Sequence, residues 1–209
     1  MVKLHHPGHV VTLAMMVAGI VLSKKAQLPK MAGEIPGQAK DKSLKLRMRR
    51  WVEHPQLEAE LIYLPFAIQI LQALAHNPLT LVMDASAVGR SCQVLMIGVV
   101  YKQRALPLVW LVYRGKIGHT HADCHIAVLE KLQPLIPAGA KVVLLGDAQY
   151  DNTDMLLWLE AQPAWQYVLR TAPQIYIHSE LGALPIADIQ LQKEQVLQYS
   201  KLDSPRPPR

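Results

Sequence analysis

Cysteine, phenylalanine and long apolar runs are scarce in this 209-residue sequence. Its two cysteines, Cys92 and Cys124, form no CxxC pair, so we expect neither a disulfide framework nor a zinc cluster, and a reducing cytoplasm is the default location. The longest apolar run, residues 10–22, is shorter than the ~20 residues that a membrane-spanning helix needs, so we expect no membrane segment. The GxGxxG, P-loop and GxSxG motifs are also absent, which argues against nucleotide-cofactor and serine-hydrolase functions.

Basic residues are concentrated near the N-terminus. Residues 1–54 hold ten Lys or Arg against three acids, a net charge of +7, whereas the other 155 residues hold twelve against thirteen. Such asymmetry is typical of a segment that binds a polyanion, because each phosphate that it neutralises releases counterions. A basic surface that is merely solvated is the alternative.

Residues 1–75 are predicted to form a helical, basic, DNA-binding domain. Residues 10–22 are apolar all round, which predicts a helix buried within a bundle. A short helix over residues 27–35 ends at Pro36-Gly37, and a third helix starts at Asp41, an acceptable N-cap. This order matches the outline of a helix-turn-helix, whose last helix faces the major groove, although many three-helix bundles share it.

An apolar stripe and a basic stripe run along the third predicted helix at helical spacing. The apolar stripe comprises Leu44, Met48, Trp51 and Val52. The candidate DNA contacts are the basic residues of this helix and one arginine that follows a later strand, namely Lys42, Lys45, Arg47, Arg49, Arg50 and Arg90. Such residues bind phosphates rather than read the base sequence, and a solvated position is the alternative for Arg90.

Strand and helix patterns alternate over residues 76–172. Helical spacing predicts helices over residues 61–74, 122–136 and 152–160, and β-rich runs predict strands over residues 79–83, 94–101, 106–113, 141–145 and 165–170. A polar turn at residues 102–105 joins two of the strands in an antiparallel hairpin. The predicted fold class is therefore α/β with a mixed sheet, preceded by the N-terminal helical domain.

Asp84 and Asp147 each follow one of the apolar strands, 63 residues apart. If these strands are neighbours, two carboxylates ~4 Å apart repel by about 4 kcal/mol at an effective dielectric of ~20. A cation relieves this repulsion, and Mg²⁺ or Mn²⁺ suits both carboxylate oxygens and phosphate substrates. The alternative is that each Asp caps a strand end or accepts a hydrogen bond from a turn amide.

Histidines cluster around the start of the helix predicted over residues 122–136. His119, His121 and His125 lie beside Asp123 and Cys124, but their spacing does not fit a closed zinc finger. A polar loop that leads into a helix is predicted instead.

Three motifs within residues 76–172 occur in a set order, namely Leu81–Ser86, the hairpin residues Arg104–Leu108, and Leu144–Asp151. Together with Trp165–Arg170 they resemble the catalytic core of bacterial insertion-sequence transposases of the DDE type, in the insertion sequence four family, over residues 75–172. The resemblance implies a ribonuclease H-like fold in which the acids Asp84 and Asp147 are catalytic and bind the metal cofactor. It also implies metal-dependent transesterification that cleaves and joins DNA phosphodiesters at the ends of the element.

The chain departs from that family at two points. Where the family usually has an Asp-Arg-Gly-Phe-like stretch, this chain has residues 147–150, in which Tyr150 can replace Phe in packing while the missing Arg puts local phosphate pairing in doubt. The family's third acid, a Glu on a later helix, has no match after Arg170, since Glu180 and Glu194 lack its sequence context.

Residues 173–209 are predicted to be the start of a β-rich insertion and an irregular tail. We therefore expect a truncated transposase, weakly active or inactive, in the nucleoid-associated cytoplasm. Its expected partners are double-stranded DNA at the element's terminal repeats and either a second copy or the full-length transposase. The alternatives are a DNA-binding inhibitor of the full-length enzyme and a decayed remnant.

Overall fold

The computed structural model describes residues 7–115, 122–173, 175–179 and 182–189. The chain divides into two units, Met1–Phe66 and Ala67–Arg209, and each is described by itself. The division precedes residue 75, where the sequence analysis placed its boundary. His119, His121, Glu180 and Glu194 lie outside the described residues, as does the tail from residue 190 onward.

Three helices that contact one another make up most of the first unit. They are α1 (Pro7–Ser23), α2 (Leu28–Glu34) and α3 (Asp41–Val52), and the three predicted helices are confirmed. Lys40, rather than Asp41, is the N-cap of α3, so Asp41 is instead the first helical residue, near the positive end of the helix. Six residues, 35–40, connect α2 and α3, more than the three or four of a typical helix-turn-helix turn.

The prediction that the first helix is buried is wrong. Among the residues of α1, all of them described, Thr12 and Gly19 alone are buried, and Val21 is 68% exposed. A helix in a three-helix unit has neighbours along only part of its circumference, so an all-round apolar sequence leaves one face in solvent. Gly19 allows the close approach of α2, because a Cβ atom there would lie 2.9 Å from the Cβ of Met31.

A fourth helix, α4 (Ala59–Leu74), spans the boundary between the two units. The sequence predicted this helix over residues 61–74, and it is confirmed with Pro65 inside it. Ala67 and Leu71 are fully buried on the part of the helix that belongs to the second unit.

The second unit is built on a five-stranded mixed sheet. Its strands are β1 (Leu79–Gly89), β2 (Cys92–Tyr101), β3 (Arg104–Arg114), β4 (Val142–Gly146) and β5 (Trp165–Leu169). Their order is β3-β2-β1-β4-β5, in which β1 to β3 form an antiparallel meander while β4 lies parallel to both β1 and β5. The predicted α/β class with a mixed sheet is confirmed.

Two-residue turns connect the strands of the meander. Arg90 and Ser91 have φ values of 52° and 57°, and Lys102 and Gln103 have φ values of 46° and 64°. Left-handed conformations at both turn residues match the right-handed twist of a hairpin. The predicted hairpin is confirmed, although its turn is shorter than residues 102–105, because Arg104 already pairs with Tyr101.

One face of the sheet is covered by α5 (Ala122–Leu132), which contacts β2 and β3, while α6 (Thr153–Glu160) contacts α5 and β5. The aliphatic residues of this face are almost inaccessible, and they include Leu81, Met83, Leu95, Ile97 and Leu144. Each such side chain contributes roughly 1.5–3 kcal/mol on burial. The helix predicted over residues 122–136 ends at Leu132 and continues as a short 3-10 turn, because Pro134 cannot extend an α-helix.

A second, two-stranded sheet follows residue 173. It is an antiparallel hairpin of β6 (Tyr176–Ser179) and β7 (Gly182–Pro185), followed by a 3-10 turn at Ile186–Asp188. No single described helix is long and apolar enough to cross a membrane; α1 and α2 satisfy the length and composition criteria only as a pair, with an 88° bend between them.

Candidate functional site

Asp84 and Asp147 occupy equivalent positions on neighbouring parallel strands. The pairing of β1 with β4 runs from Leu79–Val142 to Val82–Leu145 with a constant offset of 63 residues. The same offset relates Asp84 to Asp147, two residues beyond the last pair. Asp147 has an extended backbone, with φ −84° and ψ −176°, so it continues the direction of β4. Because neighbouring strands lie about 4.8 Å apart, the register brings the two residues side by side.

The face of the sheet that carries Asp84 follows from the alternation of side chains along β1. Leu81 and Met83 are buried under the helices, whereas Val82 is half-buried and Asp84 is exposed. Successive side chains of a strand point to opposite faces, so Asp84 lies on the face away from the helical layer.

The prediction that Asp84 ends its strand is wrong. β1 continues to Gly89, and Asp84 pairs with Met96 of β2. The apolar run stops at Met83, but the strand does not, because the hairpin partner β2 supplies backbone hydrogen-bond partners for the polar residues that follow. Asp84 therefore lies where β1 parts from β4, which ends at Gly146.

The hydroxyl group of Tyr150 is affected by burial and by nearby negative charge. The pKa of Tyr150 is raised well above its ordinary value of 10.0, first by burial and then by the negative charges of Asp147 and Asp84. Tyr150 is fully buried, which confirms the prediction that it packs in the core.

Asp147 also has a local structural role. Its Oδ1 accepts a hydrogen bond from the backbone N–H of Gln149 at 3.0 Å, which caps the short 3-10 turn Ala148–Tyr150. The Gln149 side chain in turn donates to the Tyr150 hydroxyl at 2.8 Å. The turn-amide alternative is therefore observed for one oxygen of Asp147. This bond fixes the orientation of the carboxylate, and it occupies Oδ1 rather than the whole group.

A buried histidine lies behind this turn. His125 of α5 is 1% exposed, and its ring packs edge-on against Tyr150 with centroids 5.0 Å apart. The Asn152 side-chain amide lies 3.1 Å from His125 Nδ1, and the Asn152 Oδ1 accepts from the backbone N–H of Met155 to cap α6. Burial lowers the pKa of His125 below its ordinary value of 6.5, and Asp147 partly offsets this effect.

The sequence analysis missed this network, although the helix that it predicted over residues 152–160 is confirmed as α6, with Asn152 as its N-cap. It had weighed His125 as a zinc ligand and rejected that role in favour of a polar loop that leads into a helix, whereas the structure places His125 inside α5. The usable signal is that His125 precedes Val128, Leu129 and Leu132 at helical spacing, and all four are buried on α5. The network supports the segment that carries Asp147, since the same segment supplies Tyr150 and Asn152.

The two carboxylates suit a hard divalent cation. Mg²⁺ retains several waters and is often held by one or two carboxylates together with phosphate oxygens of a substrate. Asp84 and Asp147 are both exposed, so water and a phosphate can reach them. Within the described part of the chain, no group of three or more His, Cys, Asp or Glu side chains is placed to hold a metal ion. A site of this kind would have Asp84 and Asp147 as two of its ligands.

The predicted basic residues separate into three places. Lys42, Lys45 and Arg49 lie along one stripe of α3, whereas Arg47 and Arg50 line a cleft beside α1. Arg90 lies at the β1–β2 turn, six residues and roughly 20 Å along the strand from Asp84. The structure therefore does not bring Arg90 together with the acids.

The apolar stripe of α3 is shorter than predicted. Leu44 and Met48 are buried, and Trp51 is half-buried with its indole N–H donating to the His9 carbonyl at 3.0 Å. Val52 is 56% exposed, which corrects its placement in the apolar stripe. It is the last residue of the helix, where it has turned away from the contact with α1 and α2.

Comparisons with known proteins identify no family for this chain. No protein-family model matches it, and no curated protein matches it significantly. The interpretation of the site therefore depends on the geometry of its own residues.

Proposed function

We propose that this chain carries part of the catalytic site of a DNA transposase of the DDE type, built on a ribonuclease H-like sheet. The observation that carries the proposal is the parallel register of β1 and β4, which sets Asp84 beside Asp147. The antiparallel meander followed by two parallel strands supports the ribonuclease H-like assignment. The motif resemblance over residues 75–172 supplies the reaction, which is cleavage and joining of DNA phosphodiesters at insertion-sequence ends.

Asp84 and Asp147 would hold the metal in this proposal. Mg²⁺ or Mn²⁺, when bound, supplies Lewis-acid stabilisation of charge on phosphate oxygens. Asp84 contributes a carboxylate from a rigid strand, and the bond from Gln149 N–H orients the carboxylate of Asp147. The buried contact of His125 with Tyr150 holds the turn that carries Asp147.

Low activity is part of the proposal, because two carboxylates leave a two-metal site short of ligands. Nicking of supercoiled plasmid DNA in Mg²⁺ or Mn²⁺ tests it with the full chain and its Asp84→Ala variant. We expect little nicking by either protein. Strong nicking that Asp84→Ala abolishes would show that the chain is a complete enzyme. Strong nicking that the variant retains would refute the assignment of Asp84.

A second candidate function is DNA binding without chemistry, in which the chain occupies element ends or pairs with a full-length transposase and inhibits it. The basic stripe of α3, with Lys42, Lys45 and Arg49 on one side of the helix, favours this candidate. Like the first, it places the protein in the nucleoid-associated cytoplasm.

DNA affinity as a function of salt tests the basic stripe. Lys45→Ala with Arg49→Ala should lower duplex affinity and reduce the salt slope by about two, one for each lost phosphate contact. The matched control is Lys25→Ala with Lys30→Ala, which removes the same charge from exposed residues outside α3. Equal effects of the two double variants would show that the stripe is only a solvated basic surface.

A further inference from the structure

A cleft of about 530 Å³ opens between α1 and α3 in the first unit. Its volume is in the range of small-molecule sites, roughly 300–1,000 Å³. Its described lining is rich in hydrogen-bond donors, contributed by His9, Thr12, Ser43, Arg47, Arg50 and His54. Among the described residues that line it, none is acidic.

Two hydrogen bonds from α3 to α1 shape this cleft before any ligand binds. Arg47 Nε donates to Thr12 Oγ1 at 2.9 Å, and the Trp51 indole N–H donates to the His9 carbonyl at 3.0 Å. Thr12 Oγ1 itself donates to the Gly8 carbonyl at 2.8 Å. These bonds hold both helices at a fixed separation across the cleft.

The hydrogen bond from Arg47 explains why a polar residue, Thr12, is buried in the apolar helix α1. Thr12 is a polar residue in an apolar helix, yet it is 3% exposed while valines of the same helix face solvent. Its hydroxyl accepts from the guanidinium, so its burial serves to orient that side chain. The bond to Thr12 uses Nε, one donor atom of the guanidinium, and the fork of the two terminal nitrogens suits bidentate contact with an oxyanion.

We propose that this cleft binds a phosphate group. Arg47 and Arg50 give it two permanent positive charges, which attract a phosphate group in either form, a singly charged phosphodiester or a free phosphate ion. The Ser43 hydroxyl and the imidazoles of His9 and His54 add further hydrogen-bonding groups around the same space. The phosphate belongs either to a nucleic-acid backbone or to a free ion.

The basic stripe of Lys42, Lys45 and Arg49 contributes no residue to the described lining of the cleft. Binding of free phosphate does not depend on the proposed transposase function. Only the backbone source rests on that function, so the two proposals can fail separately.

The indole N–H resonance of Trp51 reports directly on the cleft. We would titrate the full chain with sodium phosphate at constant ionic strength and follow this resonance by NMR, assigning it with Trp51→Phe. The first test variant is Arg47→Lys, which keeps the positive charge but loses the fork of the guanidinium. The second is Arg50→Gln, which removes a charge from an exposed side chain and keeps the proposal testable if Arg47→Lys does not fold. Lys30→Gln, on the exposed side of α2, is the charge-matched control.

We expect a saturable shift in the wild type, with the dissociation constant raised about tenfold or more in Arg47→Lys and Arg50→Gln and less than twofold in Lys30→Gln. A linear response, a shift that sodium chloride reproduces, or an equal effect of Lys30→Gln would overturn the proposal. A second titration adds duplex DNA to the phosphate-bound protein. Stoichiometric displacement of phosphate identifies a backbone phosphate as the ligand, and retention of phosphate identifies the free ion.

Discussion

Substitution of Asn152 should show how much the contacts among Asn152, His125 and Tyr150 stabilise the segment that carries Asp147. The Asn152 side chain makes two bonds, since Oδ1 accepts from the Met155 N–H at 2.9 Å and the amide lies 3.1 Å from His125 Nδ1. In Asn152→Ala, loss of the helix cap costs about 1 kcal/mol. His125 Nδ1 loses its partner in a site that is 1% exposed, which costs about 1–3 kcal/mol more. We therefore expect a loss of about 2–4 kcal/mol in the free energy of unfolding.

Urea unfolding followed by tryptophan fluorescence measures this loss, because Trp158 of α6 and Trp165 of β5 are in ring contact, with centroids 5.6 Å apart, and unfolding breaks that contact. Asn152→Ser separates the two contributions, since serine caps a helix but has no amide to give to His125. Thr153→Ala is the control at an exposed neighbouring position, with an expected change within about 0.5 kcal/mol. A loss in Asn152→Ala no larger than that of this control would refute the reasoning.

Three further predictions concern packing and pH. Gly146→Ala should destabilise the fold by about 1–3 kcal/mol in urea unfolding, because its Cβ would lie 3.0 Å from the buried ring of Tyr150; an unchanged midpoint would contradict this. Burial lowers the pKa of His125 below 6.5, so as the pH falls below that value the unfolded chain takes up a proton that the folded chain does not. The free energy of unfolding should therefore fall by at most about 1.4 kcal/mol per pH unit, and His125→Gln should reduce that slope; an unchanged slope would count against it. Met48→Ala should lower the free energy of unfolding by about 2–5 kcal/mol and Val52→Ala by less than about 0.5 kcal/mol in thermal unfolding, since Met48 is fully buried and Val52 is 56% exposed. Similar losses in the two variants would show that Val52 belongs to the buried stripe of α3 after all.

The sequence predicted the helices and strands well where apolar periodicity and turn residues agree. The run Leu79–Met83 indicated a strand, and Asn152 indicated a helix start, because each feature is local. The pairing partner of a strand is not local, so the run gave no sign that β1 extends to Gly89. The exposure of α1 also escaped prediction, because periodicity cannot show how many neighbours a helix has.

The candidate site was predicted in its residues but not in its surroundings. Asp84 and Asp147 stand out because each follows an apolar strand, and the register then aligns them. The contacts among His125, Tyr150 and Asn152 depend on how α5 and α6 pack, and no spacing in the sequence encodes that. The same holds for Arg47 and Thr12, which are 35 residues apart and meet only when α3 packs against α1.

Binding of Mn²⁺ to the full chain, measured by electron paramagnetic resonance, tests the central claim that Asp84 and Asp147 form one metal site. We expect weak, saturable binding in the wild type that Asp84→Asn and Asp147→Asn each weaken by about tenfold or more, equivalent to about 1.4 kcal/mol. Asp154→Asn, an exposed acid in the first turn of α6, should leave binding unchanged. No saturable binding, or an equal loss in all three variants, would contradict the claim.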